Sequence, residues 1–215
     1  MCTIRTAMTP TNCKLLLMAL ELKNGNRTFY AKNRKAWRAW LQKNGHKEKK
    51  VWLVIYKKGT GKPSVYYDEA VEEALCFGWI DSIASKRDEE SYYQFFARRN
   101  PKSKWSGLNK NRVERLLKEG LMTPAGLALV EEAKRNGAWE ALDEVEALII
   151  PKELELALNG NSEASKYFSA FPPSARRGIL DWISSAKRDE TRAKRIAETV
   201  QLAEKNIRAN QYVKK

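Results

Sequence analysis

The sequence predicts an α+β fold: a small, mostly antiparallel sheet with flanking helices, followed by a helical C-terminal subdomain. Three observations carry that prediction. The run VWLVIYKK, Val51 to Lys58, is β-branched and aromatic and reads as a central strand covered on both faces. The segments WIDSIASK and SYYQFFARR alternate in polarity across the charged turn RDEE, the pattern of an antiparallel hairpin. From Ser106 onward, apolar residues recur at helical spacing instead.

Taken in order, residues 1–26 form an N-terminal extension whose one periodic stretch suggests a helix from Thr11 to Lys23. TFYAKNRKAWRAWLQKNG then reads as a short strand, an Asn33 cap and a helix. That helix carries Ala36, Trp37, Trp40 and Leu41 on one face and closes at Gly45. After the central strand and the turn GTGKP, Asp68 is placed to cap a helix whose Ala70, Val71, Ala74, Leu75 and Phe77 form an apolar stripe ending at Gly78. The hairpin follows, with Trp79, Asp81 and Ile83 expected on one face. Next come a helix over Leu108 to Lys118 closed by Gly120, and one from Pro124 to Arg135 behind a Thr123 cap, closed by Gly137. GAWEALDEVEALIIP reads as a linker. Four helical segments complete the chain, the last with Ala193, Ile196, Ala197, Val200, Ala203 and Ile207 as its apolar stripe. The boundaries are therefore 1–26 extension, 27–137 basic α+β domain, 138–207 helical subdomain and 208–215 tail.

Charge is unevenly spread. Of the net +14, residues 27–137 hold 24 basic against 13 acidic groups, a surplus of +11, while residues 138–215 are almost balanced. The middle segment alone is biased toward anionic partners. The run LLLMAL, Leu15 to Leu20, is too short to span a membrane and lacks the flanks of an export signal, so a soluble, cytoplasmic protein is expected, without membrane insertion. Cys2, Cys13 and Cys76 fit neither a disulfide framework nor a zinc cage, and Cys76 sits among apolar neighbours as a small hydrophobe. His46, the only histidine, lies in a polar loop, which disfavours triad chemistry. No metal site, cofactor motif or catalytic constellation emerges. KKGTGKP lacks the spacing of a phosphate-cradling loop, and Glu72 and Glu73 diverge by about 100° on a helix, so Glu73 is read as a partner for a nearby Lys or Arg.

Three blocks resemble the bacterial YdeI/OmpD-associated family, also called bacteriocin-protection proteins. They are AWRAWL followed by VWLVIYKK; EAVEEALCFGWIDS with the downstream Arg-Arg and SKWSGLNKNRVERLLKEGLM; and the C-terminal RRGILDWISSAKRDETRAKRIAET. The resemblance implies a context of envelope stress or antimicrobial-peptide resistance, and no agreed catalytic mechanism.

The candidate site centres on ARRNPKSKWSGLNKNR, residues 97–112, six positive side chains with no acid. A helix starting after Ser103 or Ser106 would present unpaired N–H groups and a partial positive charge, both suited to a phosphate or carboxylate. Arg98 or Arg99 delivered there by the hairpin, with Lys57 or Lys58, Asn109 and Arg112 around it and Trp105 as a wall, would make a small anion pocket. Asp81, expected between apolar neighbours, would need one of these cations as its partner. Two alternatives stand beside it. Residues 98–118 hold eight basic groups against one acidic, and Tyr92, Tyr93, Phe95, Phe96 and Trp105 would let the segment bind nucleic acid non-specifically by phosphate contact and base stacking. The Ile179, Trp182 and Ile183 face of the C-terminal helices would suit a protein-interaction module, with docking inside the chain as the default.

Overall fold

The computed structural model describes residues 22–210 and shows a five-stranded sheet flanked by helices, followed by a block of C-terminal helices. Two compact units divide the described chain, residues 22–103 with 108–138, and residues 104–107 with 139–210.

The first unit opens with β1 (Leu22–Lys23), β2 (Asn26–Tyr30), α1 (Arg34–Asn44) and β3 (Lys50–Tyr56). The expected extension helix falls largely on residues outside the described range, and its last two positions are strand β1. Asn33 caps α1 as its sequence position suggests, its Oδ1 accepting the Ala36 N–H at 2.9 Å. Strands β2 and β3 pair in parallel because a helix joins them, a connection that only a crossover permits. Positions 51–56 of β3 are all buried, in keeping with a strand covered on both faces. Above the sheet, Phe29, Trp37, Trp40, Trp79 and Phe96 form a continuous ring cluster with centroid spacings of 5.2–6.1 Å.

Helix α2 (Tyr67–Cys76) begins one residue before the expected cap, so Asp68 lies inside its first turn and pairs with Arg112 at 2.6 Å. Glu69 accepts the Tyr66 N–H at 3.1 Å in its stead. Cys76 is fully buried, and burial pushes its thiol pKa up, as suits a packing residue. Gly78, at φ +73°, then turns the chain into β4 (Trp79–Lys86), which returns as β5 (Ser91–Arg98). The sheet order is β1-β2-β3-β5-β4, with every pair but β2/β3 antiparallel. Strand β4 is the outer strand, and its register shifts between Asp81 and Ala84. That irregularity overturns the shared face expected for Trp79, Asp81 and Ile83, because Trp79 is 1% exposed while Ile83 is 63% exposed.

Helices α3 (Gly107–Lys118) and α4 (Pro124–Arg135) follow, with Gly120 and Gly137 at positive φ behind them. Helix α4 meets the C-terminal end of α2 at Gly126, where an added Cβ would lie 2.4 Å from the Cys76 carbonyl oxygen. The Thr123 hydroxyl donates to that same oxygen at 2.6 Å, and its N–H does so at 3.1 Å.

In the second unit, α5 (Asp143–Glu146), α6 (Lys152–Asn159), α7 (Ser162–Ala170), α8 (Pro173–Ser184) and α9 (Asp189–Glu204) enclose a core that includes Leu154, Phe168, Ile179, Leu180 and Ile183. The segment read as a linker is structured: Trp139 and Val145 are buried, and Trp139 packs on Trp105 with ring centroids 5.0 Å apart. The buried face of α9 is rotated from the expected stripe. Ile196, Thr199 and Ala203 point inward, whereas Ala193 and Ala197 are exposed and Ile207 lies beyond the helix, half exposed. Thr199 fills a core position at no polar cost because its hydroxyl donates to the Arg195 carbonyl at 2.7 Å. Ile179 and Ile183 of α8 are core residues, and Trp182 carries the Arg195 guanidinium 5.1 Å above its ring, so the interaction face foreseen there is used inside the chain.

Candidate functional site

The ten residues singled out in the sequence do not assemble into one pocket. Antiparallel pairing sets Lys50 of β3 beside Ala97 of β5 and Tyr56 beside Ser91, so Lys57 and Lys58 leave the sheet at the end opposite Arg98 and Arg99, roughly 20 Å away at about 3.3 Å per residue. Lys57 Nζ donates to the Glu89 carbonyl at 2.8 Å, and Lys58 lies over the Tyr66 ring. Trp105 is 2% exposed against Trp139 rather than walling an open site. The front of α3 is met by the chain's own carboxylate: Glu146 accepts the Gly107 N–H through both oxygens, at 2.8 and 3.0 Å. An internal anion thus takes the place expected for an external one, with the same helix-end physics. Ser106 is half-buried beside it, and Ser103 is exposed. Arg112 is held by Asp68 and by Asn109 Oδ1 at 3.1 Å, which fixes both Asn109 and Arg112 in a first-unit ion pair.

Arg98 and Arg99 do come together. Both line a cavity of about 580 Å³ within the first unit. Its wall is built from the end of α1, the turn between α2 and β4, and the start of α4, with Leu41, Phe77, Trp79 and Leu129 as the large apolar surfaces. None of its lining residues is acidic. Backbone bonds set the two arginines. The Arg98 N–H donates to Lys49 O at 3.0 Å and the Arg99 N–H to Gly78 O at 2.9 Å, so Arg99 continues the β4/β5 ladder one step past the end of β5. Arg98 Nε donates to the carbonyls of Gly45 and Glu48 at 3.0 and 2.9 Å, anchoring an exposed side chain while its two terminal nitrogens stay clear of those bonds. The Trp79 indole N–H reaches Gly45 O at 3.3 Å, tying the same turn to the cavity wall.

Arg99 is 7% exposed, and its Nη2 donates to the Ser103 carbonyl at 3.4 Å. Burial pushes its pKa down to about 10, opposed by the Asp81 carboxylate, which favours the charged form. The direct partner of Asp81 is the Tyr67 hydroxyl at 2.7 Å, not a cation, and Asp81 reaches Arg99 only through the electrostatic field. Burial and that hydrogen bond raise the Tyr67 phenol to about 12. A second concavity of about 390 Å³, beside Phe29 and Trp40, carries Arg27 and Lys43, but Arg27 is already paired with Glu48 at 2.8 Å.

The other charged feature of this unit is a lattice between α1 and α2. Glu73, 3% exposed, accepts from Arg34 Nε at 2.6 Å and Arg38 Nη1 at 2.7 Å, and Glu72 accepts from Arg34 Nη1 at 2.9 Å and from Arg115. Glu73 is thus the ion-pair partner its sequence setting implied. Arg38 also donates to Leu121 O at 2.8 Å, which ties the lattice to the segment before α4. The cavity residues not foreseen, Gly45, His46 and Thr123 to Ala125, lie about 24–54 residues from the arginines in sequence. Their only signals were the helix stops at Gly45 and Gly78 and the Thr-Pro cap.

The fold and site define a two-unit protein: a mixed-sheet α+β unit with an arginine-lined cavity, and an all-helical unit. The chain contains a domain of the Bacteriocin-protection, YdeI or OmpD-Associated family at residues 147–206, which runs from just after α5 to just past the end of α9. Residues 29–129, most of the α+β unit, match the model of a domain of unknown function, DUF8412. No curated protein and no solved structure matches the chain. Among the described residues, no helix is long and apolar enough to cross a membrane.

Proposed function

We propose that the α+β unit binds a small anionic ligand, phosphate- or carboxylate-bearing, in the cavity shared by Arg98 and Arg99. The observation that carries this reading is a guanidinium buried to 7% exposure in the wall of a cavity with no acidic lining residue. Holding a cation there is costly because burial strips it of water, and an arriving anion offsets that cost electrostatically. Arg98, anchored through Nε, supplies a second positive charge at the rim. The binding site moves from the front of α3, where Glu146 already sits, to the turn that follows β5. The Asp81 carboxylate favours the charged form of Arg99 through its field. The YdeI or OmpD-Associated domain name supports a stress or antimicrobial-resistance setting for such a ligand.

Nucleic acid is supported less well. Tyr93, Phe96 and Trp105, three of the five rings suited to stacking, are buried, and Arg98, Arg112 and Arg115 bond to groups of the same chain. The test is calorimetric titration with inorganic phosphate, sulfate and simple carboxylates at low ionic strength. Binding is expected in the wild type and lost in Arg99→Met. Absence of binding for every anion in the panel refutes the reading.

A further inference from the structure

Resting on the anion-pocket reading, we infer that the preferred ligand is a monoanionic carboxylate with a ring-sized apolar body, rather than an inorganic anion. Three features of the cavity lead there. The first is size. At about 580 Å³ it falls in the range that encloses an organic ligand, so phosphate or sulfate would occupy a minor part and leave the rest as water against hydrocarbon.

The second is the wall. Half-buried Phe77 and Leu129 and exposed Pro124 and Ala125 face one space, backed by the buried Leu41 and Trp79, so an apolar body entering it removes hydrocarbon from water on both partners. An aromatic ring buries on the order of 150–250 Å² in such a setting, a gain that no inorganic anion can match. The third is charge. Arg98 and Arg99 contribute two positive charges, and Asp81, whose field acts on Arg99, contributes one negative charge. One carboxylate brings the negative charge that these cations attract, whereas a dianion carries a second charge that must be desolvated against the apolar wall. A carboxylate also fits the paired terminal nitrogens of Arg98, whose Nε is already committed to Gly45 and Glu48.

The experiment is calorimetric titration of the full chain with phenylacetate, acetate, inorganic phosphate and the neutral analogue phenylacetamide, repeated on Arg99→Met and Ala125→Trp. Ala125 is an exposed cavity residue on the first turn of α4, so its enlargement blocks the space without disturbing the core. Phenylacetate is expected to bind at least tenfold more tightly than acetate, phosphate or phenylacetamide, with the preference lost in both variants. If phosphate or acetate binds as tightly as phenylacetate and Arg99→Met abolishes all binding, the anion pocket stands and the inferred ligand class is wrong. If none of the four binds, both readings fall. Phenylacetate binding that survives in both variants places the ligand elsewhere and overturns the inference.

Discussion

Replacing Glu73 with Ala removes the centre of the α1/α2 charge lattice, and its cost follows from the bonds lost. Two charge-assisted hydrogen bonds, at 2.6 and 2.7 Å, end on a carboxylate that is 3% exposed. Each is worth about 1.5–3 kcal/mol, so their sum is about 3–6 kcal/mol. The lower end applies because the arginines are not stranded. Both side chains are about one-third exposed; Arg34 keeps Glu72 and Arg38 keeps the Leu121 carbonyl. We expect a loss of about 3 kcal/mol, within the range for breaking a buried pair from one side. For a chain of 215 residues this lowers the melting temperature by roughly 6–12 °C. Urea unfolding followed by tryptophan fluorescence measures it, with Arg34→Met and the double variant completing a cycle. A loss below about 1 kcal/mol, or additivity in the cycle, would refute the claim that the pair holds α1 on α2.

Arg99→Met is expected to stabilise the chain while removing ligand binding. The wild-type pKa of about 10, below the ordinary 12.5, corresponds to about 3 kcal/mol of unfavourable burial at neutral pH. The unfolded chain binds the extra proton between those two values, so this cost is present below pH 10 and is relieved as pH rises from there toward 12.5. Denaturant melts of both proteins should show a gap of up to about 3 kcal/mol at pH 7 that narrows above pH 10; a constant gap counts against it. Gly126→Ala drives a methyl group to 2.4 Å from the Cys76 carbonyl and should cost more than about 2 kcal/mol in a urea melt. In spectrophotometric titration one phenol should ionise near pH 12 and vanish in Tyr67→Phe. Duplex and single-stranded DNA should bind weakly, and a plot of log affinity against log salt with a slope steeper than about −4 would revive the nucleic-acid reading.

Much of the fold was legible because it rests on local chemistry. The Asn33 and Thr123 caps, the glycine stops and the β-branched run of β3 each act within a few residues of where they stand. The parallel pairing of β2 with β3 was not legible, since strand direction is decided by a crossover and not by either strand. Nor was the register shift in β4: with a side-chain period of two, a single irregularity re-aims Ile83 outward. The same limits govern the site. The basic stretch drew attention to Arg98 or Arg99, both of which the fold sets along one cavity, while Lys57 and Lys58 leave the sheet at its other end because antiparallel pairing reverses the ends of a strand. Glu146 was missed entirely. It reaches Gly107 from 39 residues downstream, and nothing in its own neighbourhood marks it as the group that closes the front of α3.

The irregular outer strand bears on how the chain behaves at high concentration. A straight, apolar margin on a sheet invites another polypeptide to add on, and repetition of that step makes fibrils. Here the margin is broken between Asp81 and Ala84 and bears Asp81, Ser82, Ser85 and Lys86. Deleting one residue at 82 or 83, which would straighten β4, should therefore promote edge-to-edge association of copies of the chain.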